Sequence, residues 1–173
     1  YLNGEKAAVD SPEKARQMGI YEIKDSLSIV PYMSVSENMN VLRPFSWRNF
    51  LINPGKNLKV TEKVFERYGL WCEADSQAQK LTYAKRTELF ICRALLCGAK
   101  ILICQEAGEG FTEPELEEFS QFLNELRQQG IAIILINSDA RMGLRFSNRV
   151  AVMRNGMICY LREAKDAVLD EMY

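Results

Sequence analysis

The side chains best suited to chemistry in this chain are thiols, arginines and carboxylates, because histidine is absent from all 173 residues. That absence excludes Ser/His and Cys/His nucleophile pairs and removes the commonest general base near neutral pH. The thiols Cys72, Cys92, Cys97, Cys104 and Cys159 form no CxxC pair, and Cys92, Cys97 and Cys104 stand in apolar surroundings. Buried free thiols are therefore expected rather than a chelating cluster. Arg141, Arg145 and Arg149 recur at the spacing of one helix face, with Arg154 beyond them. A continuous basic stripe of this kind would suit nucleic acid or an acidic protein. However, RVAVM from Arg149 onward reads as a strand, so the helix must stop short of it and solvated arginines are expected.

The elements that position these groups follow from periodicity and punctuation. KILICQE at 100–106 and IAIILIN at 131–137 are continuous apolar runs, the pattern of parallel strands covered on both faces. Between them, residues 113–129 place Leu116, Phe119, Phe122, Leu123 and Leu126 on one stripe. Thr112 is the expected N-cap, Pro114 lies in the first turn, and the unit reads as strand, crossover helix, strand. A helix from about Tyr83 to Gly98 carries Leu89, Phe90, Ile91, Ala94 and Leu95. A shorter one spans 61–68 and ends at Gly69. Upstream, Asp10 or Ser11 caps a short helix with Pro12 in its first turn, and Gly19 closes it before a strand at 20–23. Asn3-Gly4 predicts a tight hairpin between two edge strands, and Asn155-Gly156 a second one. Residues 25–56 read as loops and short helices, with a helical opportunity near 34–42. A short helix is expected at 139–145 and another in the tail, 163–173.

Composition sets the class. At 47% hydrophobic, the chain has enough apolar side chains for a core of ordinary size, and its 22 basic and 23 acidic residues nearly cancel. No long-range field would gather it on nucleic acid or anionic lipid. No run approaches the roughly 20 apolar residues of a spanning helix, and no secretory leader is recognisable, so a cytoplasmic protein is expected.

Five segments in order carry a family resemblance: AxxxGI at 15–20, SIVPYMSVSEN at 28–38, RALLCGAKILI at 93–103, GIAIILINSD at 130–139 and RVAVMRNG at 149–156. Together they resemble the ATP-binding cassette (ABC) transporter ATPases, particularly those of ribose and galactose importers. The resemblance implies an α/β, P-loop-NTPase-like parallel-sheet core at 1–35 and 98–173. It also implies an inserted helical subdomain at 36–97, with the N-terminal part of the core missing, in one ABC-ATPase-like domain over 1–173.

Hydrolysis in that family needs a glycine-rich loop around the phosphates, with its lysine and a hydroxyl on magnesium. No GxxxxGK[ST] occurs in these residues; the Gly55-Lys56 pair has Phe50 where the first glycine would stand. Aligned on the resemblance, the glutamine of the glutamine loop falls on Asp25. The signature resembling LSGGQ falls on Leu81, Thr82, Tyr83, Ala84 and Lys85, whose Cβ atoms stand where glycine backbone approaches a phosphate. The Walker B acid falls on Gln105, the catalytic base on Glu106, and the switch histidine on Ser138. A serine bonds phosphate without the reach or charge of that side chain.

These replacements imply a pseudo-ATPase: no catalytic residue, no bound cofactor and no metal, with the fold kept for protein contact or regulation. The alternative is an ATP-binding subunit of a sugar transporter whose phosphate loop lies upstream, using ATP and Mg. Tyr32, Met33, Phe45, Trp47 and Phe50 fall where family members receive the permease, and so mark a partner surface, unless these side chains simply pack the lobe. A permease subunit, a fused domain or a homo- or heterodimer partner is implied; nucleic acid is not.

Overall fold

The computed structural model describes residues 1–2, 4–24, 29–41, 54–70 and 72–172. Three parallel strands form the central sheet: β1 (Ile20–Ile23), β2 (Ile101–Gln105) and β3 (Ala132–Ile136), in the order β1-β2-β3. Leu102 pairs with both Tyr21 and Ile133, which fixes the register across the sheet. Six helices accompany it among the described residues: α1 (Pro12–Gln17), α2 (Val35–Asn40), α3 (Pro54–Tyr68), α4 (Tyr83–Leu96), α5 (Glu113–Gln128) and α6 (Ala140–Phe146). Strands β4 (Arg149–Arg154) and β5 (Met157–Glu163) make a separate antiparallel hairpin.

The helix starts are chemical. Ser11, not Asp10, caps α1, accepting from the Lys14 amide at 3.2 Å. Ser34 and Glu37 form a capping box on α2, and Thr112 and Glu115 form one on α5, each satisfying otherwise orphan amides. Helix α3 begins earlier than the expected 61–68. Pro54 suits a first turn, and Leu58, Val60 and Val64 extend the apolar stripe that Phe65 and Tyr68 complete. At the second hairpin, Asn155 and Gly156 both take positive φ, as a two-residue turn matching strand twist requires.

Two expectations fail on length. Among its described residues, which leave out Asn3, the opening segment makes one bridge, Leu2 with Glu5, closed by reciprocal hydrogen bonds of 2.8 and 3.0 Å, and no edge strands. Among its described residues the tail holds two 3₁₀ turns, Ala164–Asp166 and Leu169–Glu171, separated by extended backbone at Ala167 and Val168. β-branched Val168 disfavours a helix there, and the Tyr160 hydroxyl accepts from its amide at 3.0 Å.

The core forms where α4 and α5 meet the sheet. Leu89, Ile91 and Cys92 of α4 and Phe119 and Leu126 of α5 are fully buried together with Leu102, and Tyr21, Ile133 and Leu135 pack against them. All of these strand residues lie on one sheet face. The opposite face carries Ile20, Ile101, Ile103, Ile134 and Ile136, none of which joins the core; Ile134 is 51% and Ile136 50% exposed. Among the described residues, the expectation of two covered faces is met on one face alone. A continuous apolar run reports that both sides of a strand are apolar, not that both are covered.

No disulfide forms: all five cysteines are free thiols. Burial raises the Cys104 thiol to about 12 and the Cys72 thiol to about 11, in keeping with unreactive core side chains.

Candidate functional site

In open parallel sheets, ligand crevices lie beyond the carboxyl ends of the strands, and the polar groups of this chain gather there. At the end of β1, Glu22 accepts a hydrogen bond from Gln105 Nε2 of β2 at 2.7 Å and pairs with Lys24 Nζ at 3.0 Å. Immediately after β2, Glu106 sits at φ +49°, a sparsely populated conformation for a residue with a side chain. Its amide donates to the Ile136 carbonyl at 2.8 Å. Its carboxylate is taken by Ser138, which donates from the amide at 3.1 Å and lies with its hydroxyl at 3.2 Å. Asn137 beside it donates to the Ala107 carbonyl at 2.9 Å, while its Oδ1 is buried without a donor.

Gly108 shapes the turn that follows. It has φ +90°, and a Cβ there would stand 2.7 Å from the Phe146 ring. Glycine is required on both counts. The chain then reaches Phe111 and enters α5.

A second cluster lies at the start of α4. Thr82 caps the helix, accepting from the Lys85 amide at 3.4 Å, and Ala84 is buried. Tyr83 meets Phe111 edge to face with centroids 5.7 Å apart, and Phe111, Phe119 and Phe146 continue the contact through α5 to α6. Lys85 Nζ lies 3.0 Å from Glu88 Oε2 and 3.0 Å from Glu118 Oε2, joining α4 to α5. Glu88 is 2% exposed. Its carboxyl titrates above the ordinary range because burial outweighs the attraction of Lys85. Burial also opposes the charge on Lys85, but Glu88 and Glu118 together more than offset it, and the amine titrates high.

The structure therefore unites Glu106 with Ser138 and ties Gln105 to Glu22, while Thr82, Tyr83 and Lys85 face α5 and the loop before it. Leu81 packs partly against the core. Tyr32 is 81% and Met33 40% exposed, and Val30 and Val41 are also exposed. Asp25, Phe45, Trp47 and Phe50 lie outside the described residues. Arg141 and Arg145 lie four residues apart on α6, but the stripe stops there, because Arg149 and Arg154 belong to β4. Arg141 pairs with Asp139, Arg145 of α6 with Glu113, and Arg149 at the start of β4 with Glu163. Among the described residues, no three His, Cys, Asp or Glu side chains converge as a metal-ligand set.

Sequence reasoning missed Glu22, Asn137 and the Glu88 carboxylate. Glu88 had a readable signal, since it stands four residues from both Ala84 and Cys92 on the apolar stripe of its helix.

No family model matches the chain. It is 28% identical over 171 residues, 99% of its length, to a putative ribose/galactose/methyl galactoside import ATP-binding protein of Agrobacterium fabrum, covering 33% of that protein. It is 27% identical over 158 residues to a ribose import ATP-binding protein of Rubrobacter xylanophilus, covering 91% of the chain and 32% of the relative. The chain thus spans about a third of the length of the curated relatives it matches. Among solved structures, MJ1267, an ATP-binding cassette of an ABC transporter, matches at TM-score 0.74 and 20% identity, covering 91% of this chain and 66% of that one. Clostridium perfringens cbiO1, part of the ABC transporter complex cbiONQ, matches at TM-score 0.69 and 19% identity, covering 87% and 59%. The chain has the α/β fold of the ATP-binding cassette ATPases with a parallel sheet, and its sequence relatives are ATP-binding proteins of ribose and galactose import.

Proposed function

We propose that this chain is a cassette-fold module that does not hydrolyse ATP and serves in protein contact or regulation, in a setting related to sugar import. One observation carries the reading. The side chains at the positions that cassette ATPases devote to nucleotide are engaged with one another or with neighbouring helices. Gln105, in place of a magnesium-ordering carboxylate, has its amide on Glu22. The Glu106 carboxylate is held by the amide and hydroxyl of Ser138. At the start of α4, Tyr83 is engaged with Phe111 and Lys85 with two carboxylates.

These groups do not fit Mg-ATP in the family's manner. A neutral amide is a poorer partner for a magnesium-bound water than a carboxylate, and Oε2 of the Glu106 carboxylate is already engaged by the Ser138 amide and hydroxyl. Side chains at Tyr83 and Ala84 also keep a phosphate from close backbone approach. The exposed Tyr32 and Met33, with Val30 and Val41, support a protein-contact role in which the partner is a permease subunit or a further domain.

The test uses the complete product of the gene. No ATP binding by calorimetry and no magnesium-dependent phosphate release are expected. Turnover that disappears with Glu106→Gln would overturn the reading in favour of a second one, a working ATP-binding subunit of an importer. The names of the relatives and the retained Glu106 support that alternative.

A further inference from the structure

Helix α3 gathers cations on one face. Lys56, Lys59 and Lys63 are exposed along its 15 residues, and their spacing keeps them within an arc of about 60°. With Gly55 and Val60 they line an open cavity of about 530 Å³. The first turn holds no acidic residue, and Glu62 and Glu66 further along are not among the residues lining the cavity. Elsewhere cations are matched: Lys14, Lys24, Lys85, Arg145 and Arg149 each lie within 3.4 Å of a carboxylate. Lys59 and Lys63 form no ion pair among the described residues. Like charges four positions apart repel on a helix surface, so an anion held between them removes a repulsion that the fold otherwise carries.

The chemistry of the cavity selects its occupant. Lysine ammonium groups act as point charges for phosphate. The amino-terminal end of a helix adds a partial positive charge that favours the same anion. Gly55, the second helical residue, leaves the backbone bare for close approach. Val60 and the lysine methylene stems give the wall an apolar surface below the charged heads, on which a ring can rest. The volume lies within the range of small-molecule sites, about 300–1,000 Å³, and is far larger than a bare phosphate fills. A bilayer fits less well, because it is flat and the lysines border a hollow.

We propose that the cavity bordered by Lys56, Lys59 and Lys63 binds a small organic phosphate, a phosphomonoester of sugar size. The site shares no residue with Gln105, Glu106 or Ser138, so the inference does not depend on whether ATP is hydrolysed. The complete product of the gene is titrated by calorimetry with glucose-6-phosphate, and separately with glucose and with inorganic phosphate. The ester is expected to bind, more weakly as sodium chloride is added. Lys59→Gln combined with Lys63→Gln should weaken it at least about tenfold, which is about 1.4 kcal/mol, with unchanged far-ultraviolet circular dichroism. Lys165→Gln, an exposed lysine of the tail, should leave binding as it was. Any ATP heat that disappears with the same double substitution would likewise come from α3 rather than from the cassette positions. No binding of the ester, or binding unmoved by the double substitution, overturns the proposal. Glucose or inorganic phosphate binding as tightly as the ester overturns it too, since one part of the ligand would then suffice. Adsorption to phosphatidylglycerol vesicles that the double substitution abolishes, with no response to the ester, would assign the face to a membrane instead.

Discussion

Replacing Lys85 by methionine isolates the energetics of the buried carboxylate on α4. Glu88 is 2% exposed and its Oε2 lies 3.0 Å from Lys85 Nζ. At an effective dielectric of about 20 their gross attraction is about 5.5 kcal/mol, yet the Glu88 carboxyl still titrates high, so burial costs more than the lysine returns. Lys85→Met leaves that burial unopposed, for an expected loss of about 3 kcal/mol near neutral pH. For a domain of this size, that is a fall in Tm of about 6–12 °C. The pH dependence is the sharper signature. A carboxyl raised in the folded state favours folding below its ordinary value of 4.5 and loses that contribution as pH rises through the folded value. Without the lysine the folded value moves higher still, so the loss should be greater at pH 8 than at pH 5. Thermal and urea unfolding at both pH values, with m-values compared, measure it. The double substitution Lys85→Met with Glu88→Leu should recover most of the stability, because neither charge is then stranded. Glu118, 60% exposed, should cost little when truncated. A loss under about 1 kcal/mol, or one independent of pH, would refute the reasoning.

Two further substitutions probe local geometry. Gly108→Ala puts a Cβ 2.7 Å from Phe146 at φ +90° and should cost at least about 1–3 kcal/mol, read as a lower urea midpoint with an unchanged m-value. At α2, the Ser34 amide and then its hydroxyl hold the Glu37 carboxyl below its ordinary range. That contribution is present above pH 4.5 and lost as pH falls through the folded value, so Glu37→Gln should flatten the acid limb of the stability curve. Ser34→Ala should cost about 1 kcal/mol as a lost N-cap.

The sequence by itself determined the local elements, because their signals lie within a few residues of the structure they make. The stripe of Leu116, Phe119, Phe122, Leu123 and Leu126 sets which face of α5 is buried, and Thr112 with Glu115 sets where the helix begins. Asn155-Gly156 makes a hairpin because both residues accept positive φ. The apolar runs on either side of α5 become adjacent parallel strands because a crossover helix of that length allows little else. Tertiary structure decided which groups meet and which surfaces stay bare. Gln105 reaches Glu22 across 83 positions and Ser138 reaches Glu106 across 32, distances over which pattern carries no register. Glu88 stands on the apolar stripe of α4, but only packing buries it and brings Glu118 of α5 to the lysine that it pairs with. The β3 run reads alike whether one face or two are covered, since periodicity records the chemistry of a side chain and only packing determines what lies opposite it.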